Sequence, residues 1–558
     1  MGKEKLNREA IAYIEIGSTA ISKKVSWLLC AFFLISIFSV PLIQYTIKST
    51  GPIISDFWAV SQVESKKEDS LFTHIDQRNT DFLKGLDVLE TRLEEESFLR
   101  SIFLPPLQSF LINLLGQGNE KVVAGKEGWL FFRPGVDSIT GQPFLGKSQQ
   151  QMRYEGHELW EKPVQPDPVQ AIIDFHRQLN KRGIALVLLP VPVKASIHPE
   201  KISRDIFTGP LANRDWTQFL QRLEEAGVTV FESRSLLYDY AQKHGSAFLQ
   251  TDTHWLPGAM ALIAEKLAGQ ILSGFPDLDS TRNFVLQKQK IEAVGDVARM
   301  LTLPVSNEPF LQSVTIEQVV NSYNELWQPD TNSEILLLGD SFTNVYSTIG
   351  LGWGRSSGFA EHLSYHLQQS LDLLSRNDSG AFVTREMLGL ELARGRDRLA
   401  GKKIVIWQFA ERELTHGDWK LIDLRLGEPV KDGLKSGFLV VEPGQELDVQ
   451  AVVAAISKSA RPGSVPYRDN ILTLHLVDIR GKIGGLPGEQ ALVYGLGMQD
   501  NELTDLANVR PGDQIAITLS AWEDVEGDYG SYRRSPLDDE MMELELPNWG
   551  ILNHDEKN

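Results

Sequence analysis

Ser341 stands at the end of the apolar run Ile335-Leu336-Leu337-Leu338, after Gly339-Asp340. A serine hydroxyl is a weak nucleophile at neutral pH and needs a base within hydrogen-bond reach. The segment Thr251-Asp252-Thr253-His254-Trp255 offers one. His254 can take the Ser341 proton, while Asp252 fixes the imidazole tautomer and stabilises the imidazolium that forms. If Ser341 lies at a strand-to-helix turn, its own N–H and the helix dipole favour a developing oxyanion. Asp340 then shapes the turn. Gly-Asp-Ser is common in turns, and Asp-Thr-His is short, its lone histidine more often a hydrogen-bonded structural residue. Their joint occurrence in one chain is what points to acyl transfer through a serine ester.

The surrounding pattern must place these residues. Pro168 to Arg182 has an amphipathic helical period, and Ile184 to Val191 is a nearly continuous apolar run suited to a buried parallel strand. Helix Asn213–Ala226, strand Val228–Phe231 and helix Pro257–Leu272 follow, the last with proline in its first turn. Ile335–Leu338 and Lys403–Phe409 are further strands, with a helix over Arg385–Leu399 between them. Strands alternating with helices predict an α/β layered domain with a mostly parallel sheet. Ligands of such sheets bind at the carboxyl ends of the strands, where Ser341 would sit.

Upstream, Val122 to Phe132 predicts two strands joined by a glycine-containing turn. Before it, Phe82, Leu83, Leu86, Leu89, Leu93 and Leu99 recur at helical spacings, and Pro105-Pro106 interrupts that helical arm. Beyond about Gly427 the pattern becomes β-rich. Strands are expected over Gly437–Val441, Glu446–Val453, Asn470–Ile479, Glu489–Leu496 and Gln514–Trp522, separated by Pro-Gly or Gly-rich turns, and the acidic last twenty residues are expected to be partly loose.

The first fifty residues bear on the compartment. Val25 to Ile47 carries no charge and is long enough to cross a hydrocarbon core of roughly 30 Å. Lys23 and Lys24 flank its inner end, which predicts a cytoplasmic N-terminus and an exported body. The stretch is too long for a signal-peptide core, and no small-residue cleavage site follows it. Cys30, the only cysteine, lies inside it, so thiol catalysis and a cysteine–zinc site are excluded. The net charge of −19 disfavours nucleic acid as a partner. The expected organisation is a cytoplasmic segment 1–24, a transmembrane signal anchor 25–47, a helical stalk 48–118, a catalytic domain 119–426 and a β-rich domain 427–558.

Four segments carry a family resemblance: Gly125-Lys126-Glu127-Gly128-Trp129-Leu130-Phe131, Asp252-Thr253-His254-Trp255, Gly339-Asp340-Ser341-Phe342 and Trp407-Gln408-Phe409-Ala410-Glu411-Arg412. Together they resemble the bacterial alginate-type exopolysaccharide O-acetyltransferases, the AlgX/AlgJ family. The resemblance implies a circularly permuted, three-layer SGNH-hydrolase-like domain in which the Asp-x-His block precedes the serine block. It implies Ser341 as nucleophile, His254 as base and Asp252 as its orienting partner. It further implies an exopolysaccharide acceptor and a membrane-bound O-acyltransferase that delivers acetyl groups to the periplasmic face of the inner membrane. No cofactor and no metal are expected; the pair His362 and His366, four apart, lacks a third ligand.

Beside these motifs, Trp255 and Trp407 are candidates to stack on a sugar face. Arg412 is a candidate bidentate partner for a uronate carboxylate, and Asn344, Gly352 and Gly354 are candidates near the oxyanion by proximity. Two rival readings share the sequence: a periplasmic deacetylase or esterase with the same triad, and a non-catalytic polysaccharide-binding scaffold.

Overall fold

The structure, a computed structural model, describes residues 22–47, residue 86 and residues 98–553, except 156–163, 279–281, 304–309, 378–380, 425, 427–436, 461, 463–464, 466, 482–489 and 538–541. It divides into two compact units, Met1–Leu107 and Gln108–Asn558. In the first, the expected anchor segment is helical over Lys23–Ile47. Among the described residues, however, no helix is long and apolar enough to cross a membrane. Most of the expected stalk lies outside the described residues. Its end is the helix Phe98–Leu115, which continues through Pro105 and Pro106 instead of breaking there. Neither proline has an N–H to donate, so that stretch does without two of its helical bonds.

In the second unit, β1 (Val122–Ala124) and β2 (Leu130–Phe132) pair as the expected hairpin. Five strands build the central sheet: β3 (Ala185–Val191), β4 (Thr229–Val230), β7 (Ile335–Gly339), β8 (Asp372–Ser375) and β9 (Ile404–Ala410). Their order is β4-β3-β9-β7-β8, and every pairing is parallel. The ribbon β5 (Val285–Val294) and β6 (Leu311–Val320), antiparallel along its whole length, is an insertion that the strand–helix alternation did not announce.

Alternation along the strands fixes the layers, because successive side chains point to opposite faces of a sheet. Leu186, Leu188, Leu336, Leu338, Val405 and Trp407 pack with Ile172, Phe175 and Leu179 of the helix Pro168–Asn180. Val187, Leu189, Ile335, Leu337, Ile404 and Ile406 pack on the other face with Ile263 and Leu267 of the helix Pro257–Gly274 and Leu363 of Phe359–Leu367. Both faces are covered, so the strands read as unbroken apolar runs. Because all five strands are parallel, the residues following β3, β7, β8 and β9 gather at one edge of the sheet.

The C-terminal region is β-rich as expected, and it closes. β10 (Glu446–Ile456), β11 (Asn470–Gly481), β12 (Gln490–Gln499), β14 (Gln514–Ala521) and β16 (Pro547–Leu552) form a ring in which β10 pairs with β11, β11 with β12, β12 with β16, β16 with β14 and β14 with β10. The short strands β13 (Glu502–Leu503) and β15 (Arg533–Ser535) flank it. Closure leaves the ring without free edges, and Val449, Val453, Leu472, Leu474, Val493 and Ile517 fill its interior. One expectation fails here. Gly437–Val441 forms a single bridge, Phe438 to Gln490, not a strand. Within the acidic tail β16 is ordered, held by the Asn548 amide on the Leu439 and Leu492 carbonyls and by Trp549 stacked on Tyr529.

Candidate active site

Ser341 begins a one-turn helix directly after β7. The turn is built locally. Asp340 caps the helix, its Oδ1 accepting the Phe342 N–H at 2.8 Å and its Oδ2 accepting the Ala410 N–H at 2.7 Å. Gln408, fully buried in β9, holds Asp340 from the side. Its Oε1 accepts the Asp340 N–H at 3.0 Å and the Thr343 hydroxyl at 2.7 Å, and its Nε2 donates to Asp340 Oδ1 at 2.8 Å. Gly339 is dictated by space, since a Cβ there would meet Thr343 Oγ1 at 2.4 Å. The Asp340 carboxylate and N–H and the Thr343 hydroxyl are thus all paired within the elbow or with strand β9, as burial requires.

The structure brings His254 and Asp252 to this elbow, in a loop with no regular secondary structure. His254 Nε2 lies 2.9 Å from Ser341 Oγ, and Nδ1 lies 2.6 Å from Asp252 Oδ1. With Nε2 accepting the serine proton, Nδ1 carries the hydrogen donated to Asp252. Asp252 also accepts the His254 N–H at 3.0 Å, while its Oδ2 accepts the Asp296 N–H at 2.9 Å and the Trp353 indole N–H at 2.8 Å. Ser341, His254 and Asp252 are all buried.

Electrostatics follow from this packing. Burial alone would raise the Asp252 carboxyl, but the His254 imidazole, the Asp296 amide and the Trp353 indole hold it well below the ordinary carboxylate range. Burial opposes a charge on His254, yet Asp252 and then Asp296 outweigh it, so the imidazole is raised above its ordinary value. Asp296 is raised by burial and by the charge of Asp252. Its Oδ2 lies 3.9 Å from His254 Nδ1, and its Oδ1 accepts the Thr253 N–H at 2.7 Å. Asp252, His254 and Asp296 are the one cluster of potential metal-ligating side chains among the described residues. The Nδ1 hydrogen that Asp252 accepts leaves that nitrogen no lone pair for a cation.

The remaining predicted site residues fare differently. Trp255 is fully buried and cannot face a sugar. Its indole N–H donates to the Phe342 carbonyl at 3.2 Å, and its own carbonyl accepts the Tyr346 hydroxyl at 2.7 Å, which fastens the histidine loop to the elbow. Trp407 is also fully buried, packed against Phe175, Phe409 and Trp419 on the helix-covered face of the sheet. Asn344 is buried and donates to Asn377 Oδ1 at 2.8 Å, so its amide supports the turn that leaves β8. Arg412 remains at the site, its guanidinium 5.5 Å from the Phe132 ring and 6.0 Å from the Phe342 ring, with a charge felt by His254. Its neighbour Glu411 is paired instead with Arg234 at 3.0 Å. Gly352 and Gly354 both adopt positive φ in the loop that delivers Trp353 to Asp252. Of the two distant histidines, His362 is engaged by the Glu317 carbonyl at 3.1 Å.

Sequence reasoning missed Asp296, Trp353, Gln408 and Lys194. Gln408 left a signal, an amide inside an otherwise apolar strand, because such a group must find partners when buried. Asp296 and Trp353 left none, since both reach Asp252 from segments remote in sequence.

Comparison with known proteins matches residues 122–411 to the model of the SGNH hydrolase-like domain of the acetyltransferase AlgX. That span is over half of the chain. The chain belongs to the AlgX SGNH-hydrolase-like acetyltransferase family. The AlgX-family span runs from β1 to just past β9, and holds all three residues of the serine–histidine–aspartate arrangement. Among relatives, a probable alginate O-acetylase AlgJ of Pseudomonas aeruginosa is 27% identical over 310 residues, 54% of this chain and 72% of that protein. One of Pseudomonas fluorescens is 23% identical over 330 residues, 58% of this chain and 76% of that protein. Among solved structures, the O-acetyltransferase domain of Pseudomonas putida AlgJ aligns with a TM-score of 0.41 at 20% identity, covering 55% of this chain and 95% of that one. Pseudomonas aeruginosa AlgX aligns with a TM-score of 0.38 at 15% identity, covering 73% and 92%.

Proposed function

We propose that this acetyltransferase-family chain moves acetyl groups through an ester on Ser341 to hydroxyls of an exported polysaccharide, alginate or a similar uronate-containing polymer. The observation that carries the reading is the continuous relay from Ser341 Oγ through His254 to Asp252, at 2.9 and 2.6 Å. His254 takes the serine proton as Ser341 Oγ bonds to the acetyl carbon of the donor, and returns it to the departing group as the donor bond breaks. A sugar hydroxyl then gives its proton to His254 while its oxygen bonds to the acetyl carbon, and His254 passes that proton to Ser341 Oγ as the serine ester bond breaks. The Ser341 N–H, at the start of its helix turn, is the proposed donor to the oxyanion in both tetrahedral states. Arg412, charged and beside His254, is the proposed partner for a carboxylate on the acceptor.

The uncharged stretch Val25–Ile47, flanked by Lys23 and Lys24, supports a membrane tether with the catalytic unit on the periplasmic side. A membrane-bound acyltransferase is the proposed acetyl source, in keeping with the family. The test incubates the protein with an acetyl-ester donor, with and without oligouronate, and follows acetate release and sugar acetylation separately. Ser341→Ala should lower both by about 10³-fold or more. Sugar acetylation that survives in Ser341→Ala would sink the serine mechanism, and acetate release indifferent to added sugar would make the protein an esterase.

A further inference from the structure

Lys194 is a buried lysine that the relay does not use. It opens the one-turn helix Lys194–Ile197 just past β3, and only 5% of its surface is accessible. Its ammonium donates to three carbonyls: Leu130 at 2.6 Å, Gln250 at 2.8 Å and Asp252 at 3.0 Å. An ammonium has three donors and no acceptor, so all its hydrogen-bonding capacity is matched. The rings of Trp129 and Phe131 lie 5.0 and 5.1 Å from Nζ, within the range where a ring face attracts a cation. Leu130 belongs to β2, whereas Gln250 and Asp252 belong to the histidine loop.

We infer that Lys194 is a positioning residue that ties the Asp252–His254 loop to the Trp129–Phe131 segment and so sets the imidazole against Ser341. The inference rests on the serine mechanism proposed above. It also gives the Gly125–Phe131 segment a purpose: Trp129 and Phe131 flank the cation and Leu130 supplies a carbonyl. The Gly125–Phe131 segment is joined to the loop twice more, by the Leu130 N–H to the Gln250 carbonyl at 3.0 Å and by the Gln250 amide to the Glu127 carbonyl at 2.6 Å. A neutral apolar side chain at this position would have filled the same space without the cost of burying a charge. Burial pulls the ammonium down to about 7, against the attraction of Asp252 and Asp296. What the cation adds over an apolar residue is direction: three bonds from one atom fix two backbone segments, and the Asp252 carbonyl is one residue's breadth from the carboxylate that His254 needs.

The test uses the full-length chain in detergent. A fluorophosphonate probe reports the number of reactive serines from the final extent of labelling and their activation from the rate. Turnover of p-nitrophenyl acetate gives kcat and KM. For Lys194→Met the labelling extent should equal that of the unaltered protein, while the labelling rate and kcat fall about a hundredfold, the effect of a misplacement near 1 Å. KM should change by less than about twofold. Lys194→Gln keeps two donors, so its loss should be smaller, and it carries the measurement if Lys194→Met does not fold. A lower labelling extent with an unchanged rate per labelled serine would show a role in folding alone and overturn the inference. So would a rate and kcat equal to those of the unaltered protein. Ser341→Ala separates the two readings: if it turns over the ester normally, the serine mechanism fails first. If it is inactive while both Lys194 variants are unimpaired, only the role of Lys194 falls.

Discussion

The serine elbow and the histidine loop meet at 2.9 Å, yet they are held by different means. The elbow sits at the end of a buried strand, capped by its own Asp340 and braced by Gln408 on the adjacent strand. Its geometry follows from a few consecutive residues and one neighbour in the sheet. The loop has no ladder and no helix of its own. Lys194, Asp296, Trp353 and Tyr346 hold it, each from a different part of the chain. Even its close approach to Asp296 depends on a remote glycine, because a Cβ on Gly295 would meet the Thr251 carbonyl at 2.1 Å. Ser341 is thus fixed by secondary structure and His254 by tertiary contacts. Changes to the loop should accordingly act on rate, and changes to the elbow on rate and stability together.

Three measurements bear on that contrast. The largest expected effect is from Asp252→Asn, which keeps the shape but favours the wrong imidazole tautomer. The kcat for acetyl-ester turnover should fall about 10⁴-fold, far more than the moderate loss of thermal stability from an Asn amide that sets its NH2 against N–H donors bonded to Asp252. A loss of stability matching the loss of rate would show that the loop is as integral to the fold as the elbow. Next is Gln408→Leu, which leaves the Asp340 N–H and the Thr343 hydroxyl without their acceptor in a buried site. Denaturant unfolding should show a loss of about 2–3 kcal/mol, accompanied by lower activity. A fully stable variant would mean that the elbow needs no brace from β9.

The smallest effect concerns pH. In its proposed role as base His254 must be neutral, and Asp252 and Asp296 both raise its pKa. Activity should therefore be lost, as pH falls, at a value above that of an ordinary imidazole. Asp296→Asn retains the oxygen that accepts the Thr253 N–H but removes the charge, so the acid limb of kcat/KM should move to lower pH. An unmoved limb would exclude Asp296 from the electrostatics of the site, and a limb moved upward would reverse its assigned role.

The same division explains what could be read from the chain before its fold was known. The apolar strands, their alternation with helices and the gathering of catalytic types at strand ends follow from local periodicity, which burial on both faces of a parallel sheet enforces. The β5–β6 ribbon was not legible, because its strands, β5 largely exposed and β6 buried only toward its end, lack the apolar run that marked the others. The fates of Trp255 and Trp407 were not legible either. A large aromatic beside a motif serves equally well as core or as a sugar platform, and only the packing of helices on the sheet decides which.

What the sequence determined by itself was the chemistry on offer: a serine after a buried strand, a histidine with an aspartate two residues away, and an apolar stretch before them. These are properties of neighbouring residues, and neighbouring residues share a local conformation. Only the tertiary structure decided that His254 reaches Ser341 across 87 positions of chain, and that Lys194, Asp296 and Trp353 orient the pair. Such contacts depend on how separate elements pack, and no local pattern in the chain encodes them.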